Sequence, residues 1–177
     1  PIGLTNTLNV GLVADALVQY AIRQSPEIGV HTSSVNVVVG ECADGYLNDM
    51  QGRHVRAEHV WAAIESSASG PVPEGAVGAG AGTTCFGWKG GIGTASRVIP
   101  ADAGGFTVGA LVQSNFGRPR DLTVLGAPIG RLLQPRGRGP RAGPTVILAL
   151  ADAPRVGGHD SFAHGHRFDE DPSEVFD

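Results

Sequence analysis

Apolar residues within positions 8–24 fall at Val13, Ala16, Leu17, Tyr20 and Ala21, the spacing of one helix face. Thr5, Asn6 and Thr7 stand just ahead, and each offers a side-chain oxygen that suits a first-turn cap. Residues 35–40 are β-branched and mostly apolar, which predicts a buried strand. A polar loop is expected over 41–49. Residues 56–67 predict a second amphipathic helix with Val60, Trp61 and Ile64 on one side. Positions 68–82 are small and loop-like. Strands are predicted at 83–88 and 94–99, paired around a Lys89-Gly90-Gly91 turn, and again at 106–114, 122–125 and 145–151. Residues 131–144 set Arg131, Arg136, Arg138 and Arg141 among glycine and proline, the composition of an exposed linker. Residues 155–177 mix histidine, glycine and acidic groups without apolar periodicity and read as a poorly ordered tail.

Helices lie before and among the first strands, and later strands follow one another. That order predicts a layered α+β fold within the α/β class, not a doubly wound sheet. The chain has 177 residues, enough for one domain with a sizeable core. That domain is expected over 1–154. With 13 basic and 17 acidic residues the net charge is −4, and no nucleic-acid surface is implied. Cys42 and Cys85 make no disulfide framework and are expected to be buried free thiols. No apolar run has the length of a membrane span. No signal peptide is visible, and a cytoplasmic location is the expectation. The chain begins with Pro1, which reads as a processed product or a fragment.

Residues 75–117 carry the chemistry. A glycine-rich loop leads into Phe-Gly-Trp-Lys-Gly-Gly-Ile-Gly-Thr-Ala-Ser-Arg-Val, and later into Phe-Thr-Val-Gly-Ala-Leu-Val-Gln-Ser-Asn-Phe-Gly. Glycines in such runs mark sharp turns or a close backbone approach. The second run ends on Asn115, a neutral amide suited to hold an oxyanion. After the linker, Thr145 opens an apolar strand. Glycine loop, amide donor, exposed loop and hydroxyl at a strand start make an order compatible with a self-cleaving amidase. Lys89 reads as a surface charge on a tight turn. His159, His164 and His166 with Asp160 fit no established zinc spacing, so no metal is expected. The glycine strings do not form a dinucleotide fingerprint, so no cofactor is expected either.

Several stretches resemble the DmpA-type aminopeptidases, which include the D-aminopeptidase/esterase and the beta-peptidyl aminopeptidases. They are LTNT (4–7), GYLNDMQGRHV (45–55), VGAGAGTTCFGWKGGIGTASRV (77–98), VGALVQSNFG (108–117) and residues 149–154. The resemblance covers about 1–154. It implies an N-terminal-nucleophile hydrolase with a four-layer αββα sandwich, incomplete in this chain. It implies a precursor that cuts itself and frees a Ser or Thr at a strand start. Such enzymes release N-terminal residues from small peptides, amides or esters and assemble as oligomers of processed chains. By this resemblance Thr145 is the nucleophile, Asn115 helps hold the oxyanion, and Glu41 receives the substrate's amino group. No nucleic acid or membrane partner is implied.

The chemistry fits that scheme. A hydroxyl is a weak nucleophile until a neighbouring base takes its proton. An α-amine titrates near neutrality and can be that base. Amide donors at the developing oxyanion lower the barrier most. Two positions depart from the family. Ala43 stands where the family carries a tyrosine whose hydroxyl assists at the oxyanion. Pro144 precedes Thr145, and counting back from Asp152 puts Pro144 itself at the nucleophile position. The alternative expectation is therefore an impaired or truncated family member acting as a structural subunit.

Overall fold

The computed structural model describes residues 2–133 and the strand 146–151. β1 (Ile2–Asn6) runs into a 3-10 turn (Thr7–Asn9) and then α1 (Val10–Gln24). β2 (Val38–Cys42) returns parallel to β1, with Thr5 opposite Glu41 and Asn6 opposite Cys42. α2 (Ala57–Glu65) packs against α1. Val13, Ala16, Leu17 and Val60 make the buried centre of this half, with Val37, Val39, Val55, Ala57 and Ile64 around them. The predicted helix face is the one that packs. Gly3 of β1 lies so close to α1 that a Cβ there would sit 2.9 Å from Val13 Cγ1. Trp61 Nε1 donates to Ala16 O at 3.1 Å, and the Arg23 guanidinium lies 3.9 Å over the Trp61 ring, which fixes α2 across α1.

The other half is antiparallel. β3 (Thr84–Cys85) and β4 (Trp88–Lys89) form a short hairpin. β5 (Gly91–Val98), β6 (Thr107–Ser114) and β7 (Val146–Ala151) make a three-stranded sheet in that order. Gly91 pairs with Ser114, Gly93 with Val112, and Gln113 with Val146. A short α3 (Ile129–Leu132) follows β6.

Several expectations are corrected. No side chain caps α1 or the turn before it. Thr7 instead donates its hydroxyl to Glu41, and Asn6 donates to Asp44. Glu41 is not in a loop but on β2, because parallel pairing with β1 satisfies its backbone whatever its polarity. The hairpin turn is Phe86-Gly87, not Lys89-Gly90-Gly91. Both turn residues have positive φ, 51° and 84°, as a two-residue hairpin requires. Phe86 is held in that unusual conformation by the Phe116 ring at 4.8 Å and by the bond from its N–H to Phe116 O at 2.7 Å. β5 consequently pairs with β6 and not with residues 83–88. Residues 122–125 are no strand. Val124 and Ala127 exchange backbone bonds around Leu125 and Gly126, both at positive φ. Arg131 belongs to α3. Cys42 is buried and Cys85 half-buried, and no disulfide joins them. Positions 134–144 of the expected linker, Pro144 among them, Thr145 and the segment 155–177 with its histidines lie outside the described residues.

Candidate active site

Asn115 follows directly on β6 and is 3% exposed. Its Oδ1 accepts from the Thr84 N–H at 3.1 Å, and its Nδ2 donates to Ala43 O at 3.0 Å. The amide therefore joins β3 to the loop just after β2. Glu41 lies two residues before Ala43, half-buried, with the Thr7 hydroxyl donating to its Oε2. β7 begins at Val146 opposite Gln113, two residues from Asn115. The fold thus brings Glu41, Asn115 and the start of β7 to one end of the β5–β6–β7 sheet. Ala43 takes part through its backbone carbonyl, which accepts from Asn115 Nδ2. Tyr46, nearby in sequence, is 61% exposed.

An open cleft of about 320 Å³ has Ser114, the residue before Asn115, in its wall. Gly75, Lys89, Gly90, Gly91, Gly93 and Ser114 are among its walls. Ser114 Oγ accepts from Gly91 N–H and donates to Gly91 O, each at 3.1 Å, and so locks the last rung of the β5–β6 ladder. Gly75 adds a backbone bridge on the outer edge of β5, exchanging bonds with Ile92 at 2.7 and 2.8 Å. Glu74 secures that bridge by accepting from both the Thr94 hydroxyl and the Thr94 N–H.

Lys89 differs from its expectation as a solvated turn charge. Nζ donates to Gly80 O at 2.8 Å, Thr83 O at 3.2 Å and Gly90 O at 2.7 Å. Three protons meet three carbonyls, so the ammonium is a tether for the glycine loop. Burial holds its pKa below the ordinary 10.5. Sequence reading also missed Gln113 and Asp44. Gln113 Nε2 donates to Ala79 O at 2.9 Å and Thr5 O at 3.5 Å. Asp44, buried, accepts from Asn48 Nδ2 at 2.7 Å and Asn6 Nδ2 at 3.4 Å. The available signal was a polar residue within an apolar strand (Gln113) and a run of short polar side chains in the matched LTNT stretch. Among the described residues no three His, Cys, Asp or Glu side chains cluster to hold a metal ion. Among those residues, too, no helix is long and apolar enough to cross a membrane.

Two predictions follow from these ties. Lys89→Met strands three carbonyls and is expected to lower the unfolding free energy by about 2 kcal/mol, read from urea midpoints. Lys89→Arg restores part of that loss, because a planar guanidinium cannot reproduce a tripod of bonds. The Thr94 hydroxyl, with the N–H second, holds the Glu74 carboxyl below its ordinary 4.5. A lowered native pKa contributes stability above the unfolded value and loses it as pH falls through the native one. An NMR titration of Glu74 is expected to show the low value, and Thr94→Val to raise it towards 4.5. The stability gap between the two proteins should narrow in acid.

The description "Peptidase family S58" matches residues 1–156. A beta-peptidyl aminopeptidase BapA of Sphingosinicella microcystinivorans is 43% identical over 172 residues, covering 88% of this chain and 42% of the relative. A Burkholderia sp. beta-aminopeptidase structure superposes with a TM-score of 0.75 at 46% identity, covering 85% of this chain and 41% of that one. The l-aminopeptidase d-ala-esterase/amidase of Ochrobactrum anthropi, a variant of the ntn hydrolase fold, superposes at TM-score 0.75 and 36% identity, covering 84% and 41%. The chain thus spans about two-fifths of the length of these relatives and carries part of that fold. With the glycine loop, the Asn115 junction and the matched stretch of 1–156 all in agreement, the chain belongs to peptidase family S58.

Proposed function

We propose that the protein to which this chain belongs is a self-processing N-terminal-nucleophile aminopeptidase or amidohydrolase. Cleavage of the Pro144–Thr145 bond, within the linker 131–144 that ends the first part of the domain 1–154, frees Thr145. Its hydroxyl oxygen attacks the carbonyl of the substrate's N-terminal residue while its own α-amine takes the proton. Asn115 stabilises the resulting oxyanion, and Glu41 accepts a hydrogen bond from the substrate's ammonium. The proton passes to the departing amine as the scissile C–N bond breaks. Water then hydrolyses the acyl-threonine ester and regenerates the hydroxyl. Small peptides, amides or esters are the substrates, β- and D-residues included, in keeping with the names of the relatives. The scheme uses no cofactor, and processed chains assemble as homo-oligomers.

The supporting observation is the buried Asn115 amide at the sheet end where β7 starts, with Glu41 reached through the Ala43 carbonyl it binds. Ala43 favours a second reading, because it supplies no hydroxyl where the family carries one. Loss of one oxyanion donor costs about 10²–10³ in turnover. On that reading the protein is an impaired family member serving as a structural subunit.

The test is the intact mass of the protein expressed from its complete gene, with N-terminal sequencing and an assay on β-alanyl and D-alanyl amides. Two fragments, one beginning at Thr145, together with turnover that Asn115→Asp lowers about 10²–10³-fold at nearly constant KM, are expected. A single uncut mass with no turnover overturns the enzyme reading and leaves the structural one.

A further inference from the structure

One of the three carbonyls on Lys89 leads directly to the Asn115 amide. Lys89 Nζ donates to Thr83 O at 3.2 Å. That oxygen belongs to the Thr83–Thr84 peptide, and the N–H of the same peptide donates to Asn115 Oδ1 at 3.1 Å. Asn115 Nδ2 in turn donates to Ala43 O at 3.0 Å. The order is cation, peptide, side-chain amide. Only one orientation of that amide meets both neighbours, its oxygen on the Thr84 N–H and its nitrogen on the Ala43 carbonyl.

Resonance couples the two ends of each amide. A positive charge beside the Thr83 oxygen draws electrons towards that oxygen and makes the Thr84 N–H a stronger donor. A stronger donor on Oδ1 does the same to the Asn115 amide, whose Nδ2 protons become better donors. Bonds in such a chain strengthen one another by about 10–30% each. Gly90 N–H also reaches Thr83 O, at 2.9 Å, but brings no charge. A charge-assisted bond is roughly twice as strong as a neutral one. Among the described residues no carboxylate pairs with Lys89, so its charge falls on carbonyls alone. The frame is firm: Thr83 is 0% exposed, and its hydroxyl donates to Gly80 O, the same oxygen that accepts from Nζ.

We propose that Lys89 is a positioning residue for Asn115: through the Thr83–Thr84 peptide it fixes the orientation of the amide and strengthens its N–H groups as donors. The relay itself rests on the bonds above. Its consequence for an oxyanion rests on the aminopeptidase reading. Negative charge opposite Nδ2 develops only as the reaction proceeds, so the effect belongs in kcat and not in KM.

The experiment uses the full-length protein with β-alanyl p-nitroanilide as substrate. Lys89→Gln is expected to lower kcat about tenfold at nearly constant KM, and Lys89→Arg, which keeps the charge, to recover part of the loss. In an Asn115→Ala background the loss from Lys89→Gln is expected to vanish, because the two residues act along one path. Equal losses in both backgrounds, or a loss carried by KM, overturn the inference. A second readout needs neither turnover nor processing. In protein labelled with nitrogen-15 in threonine and in the asparagine side-chain amide, Lys89→Gln is expected to move the Thr84 amide proton and the Asn115 Nδ2 protons upfield, and Lys89→Arg to move them less. Unmoved resonances overturn the inference. If Lys89→Gln fails to fold, the resonance displacement by Lys89→Arg and its smaller kcat loss, absent from the Asn115→Ala background, decide in its place. The expected displacements in a protein that turns over no anilide support the relay and reject the hydrolase reading. Turnover with additive losses rejects the relay and leaves that reading standing.

Discussion

The two halves of the structure meet at one buried side chain. Gln113 is 0% exposed and lies on β6, yet its amide donates to Thr5 O on β1 and to Ala79 O in the glycine loop. The backbone carbonyl of Gln113 accepts from the Cys42 thiol of β2 at 3.6 Å. A buried amide must find partners, and here its Nε2 finds them on two segments distant in sequence, β1 and the glycine loop. Side chains alternate along a strand, so a one-residue slip of β6 would turn Gln113 to the cleft face and strand those carbonyls. The junction therefore fixes register as well as position. It is also polar beyond these bonds: the Gln113, Asn9 and Asp44 side chains each keep a buried oxygen with no partner among the described residues. Unmet acceptors of that kind make a junction sensitive to small displacements.

The site inherits its geometry from that register. With Gln113 turned inward, Ser114 and Val112 face the cleft beside Gly91 and Gly93, and Asn115 leaves the strand at the point where its amide reaches Ala43 O and Thr84 N–H. Around this frame the glycine loop is held by charge-assisted and backbone bonds: the Lys89 tripod on one side, and the Gly75 bridge with its Glu74–Thr94 clasp on the other. Glycine recurs there because backbone approaches backbone too closely for a side chain.

Much of this was legible in the sequence. Helical spacing marked Val13, Ala16 and Leu17 as a packing face, because amphipathic periodicity is a local property of the chain. The long strand ending near Asn115 was equally plain, and the motif around it resembled the DmpA-type aminopeptidases. Pairing decided the rest. Parallel register with β1 drew Glu41 out of its expected loop and onto β2. Aromatic contact with Phe116 let Phe86 take a positive φ and moved the hairpin turn three residues forward of Lys89. Freed from the turn, Lys89 could turn its ammonium onto three carbonyls that no local pattern announces.

By itself, then, the sequence determined the periodic elements, the glycine-rich motif and the family, since each is written in residues near one another along the chain. The tertiary structure alone decided which polar groups are spent and which surround the cleft. Those choices depend on backbone carbonyls, some of them brought in across 71 and 108 positions, as in the Cys42–Gln113 and Gln113–Thr5 bonds, and a carbonyl carries no sequence signature.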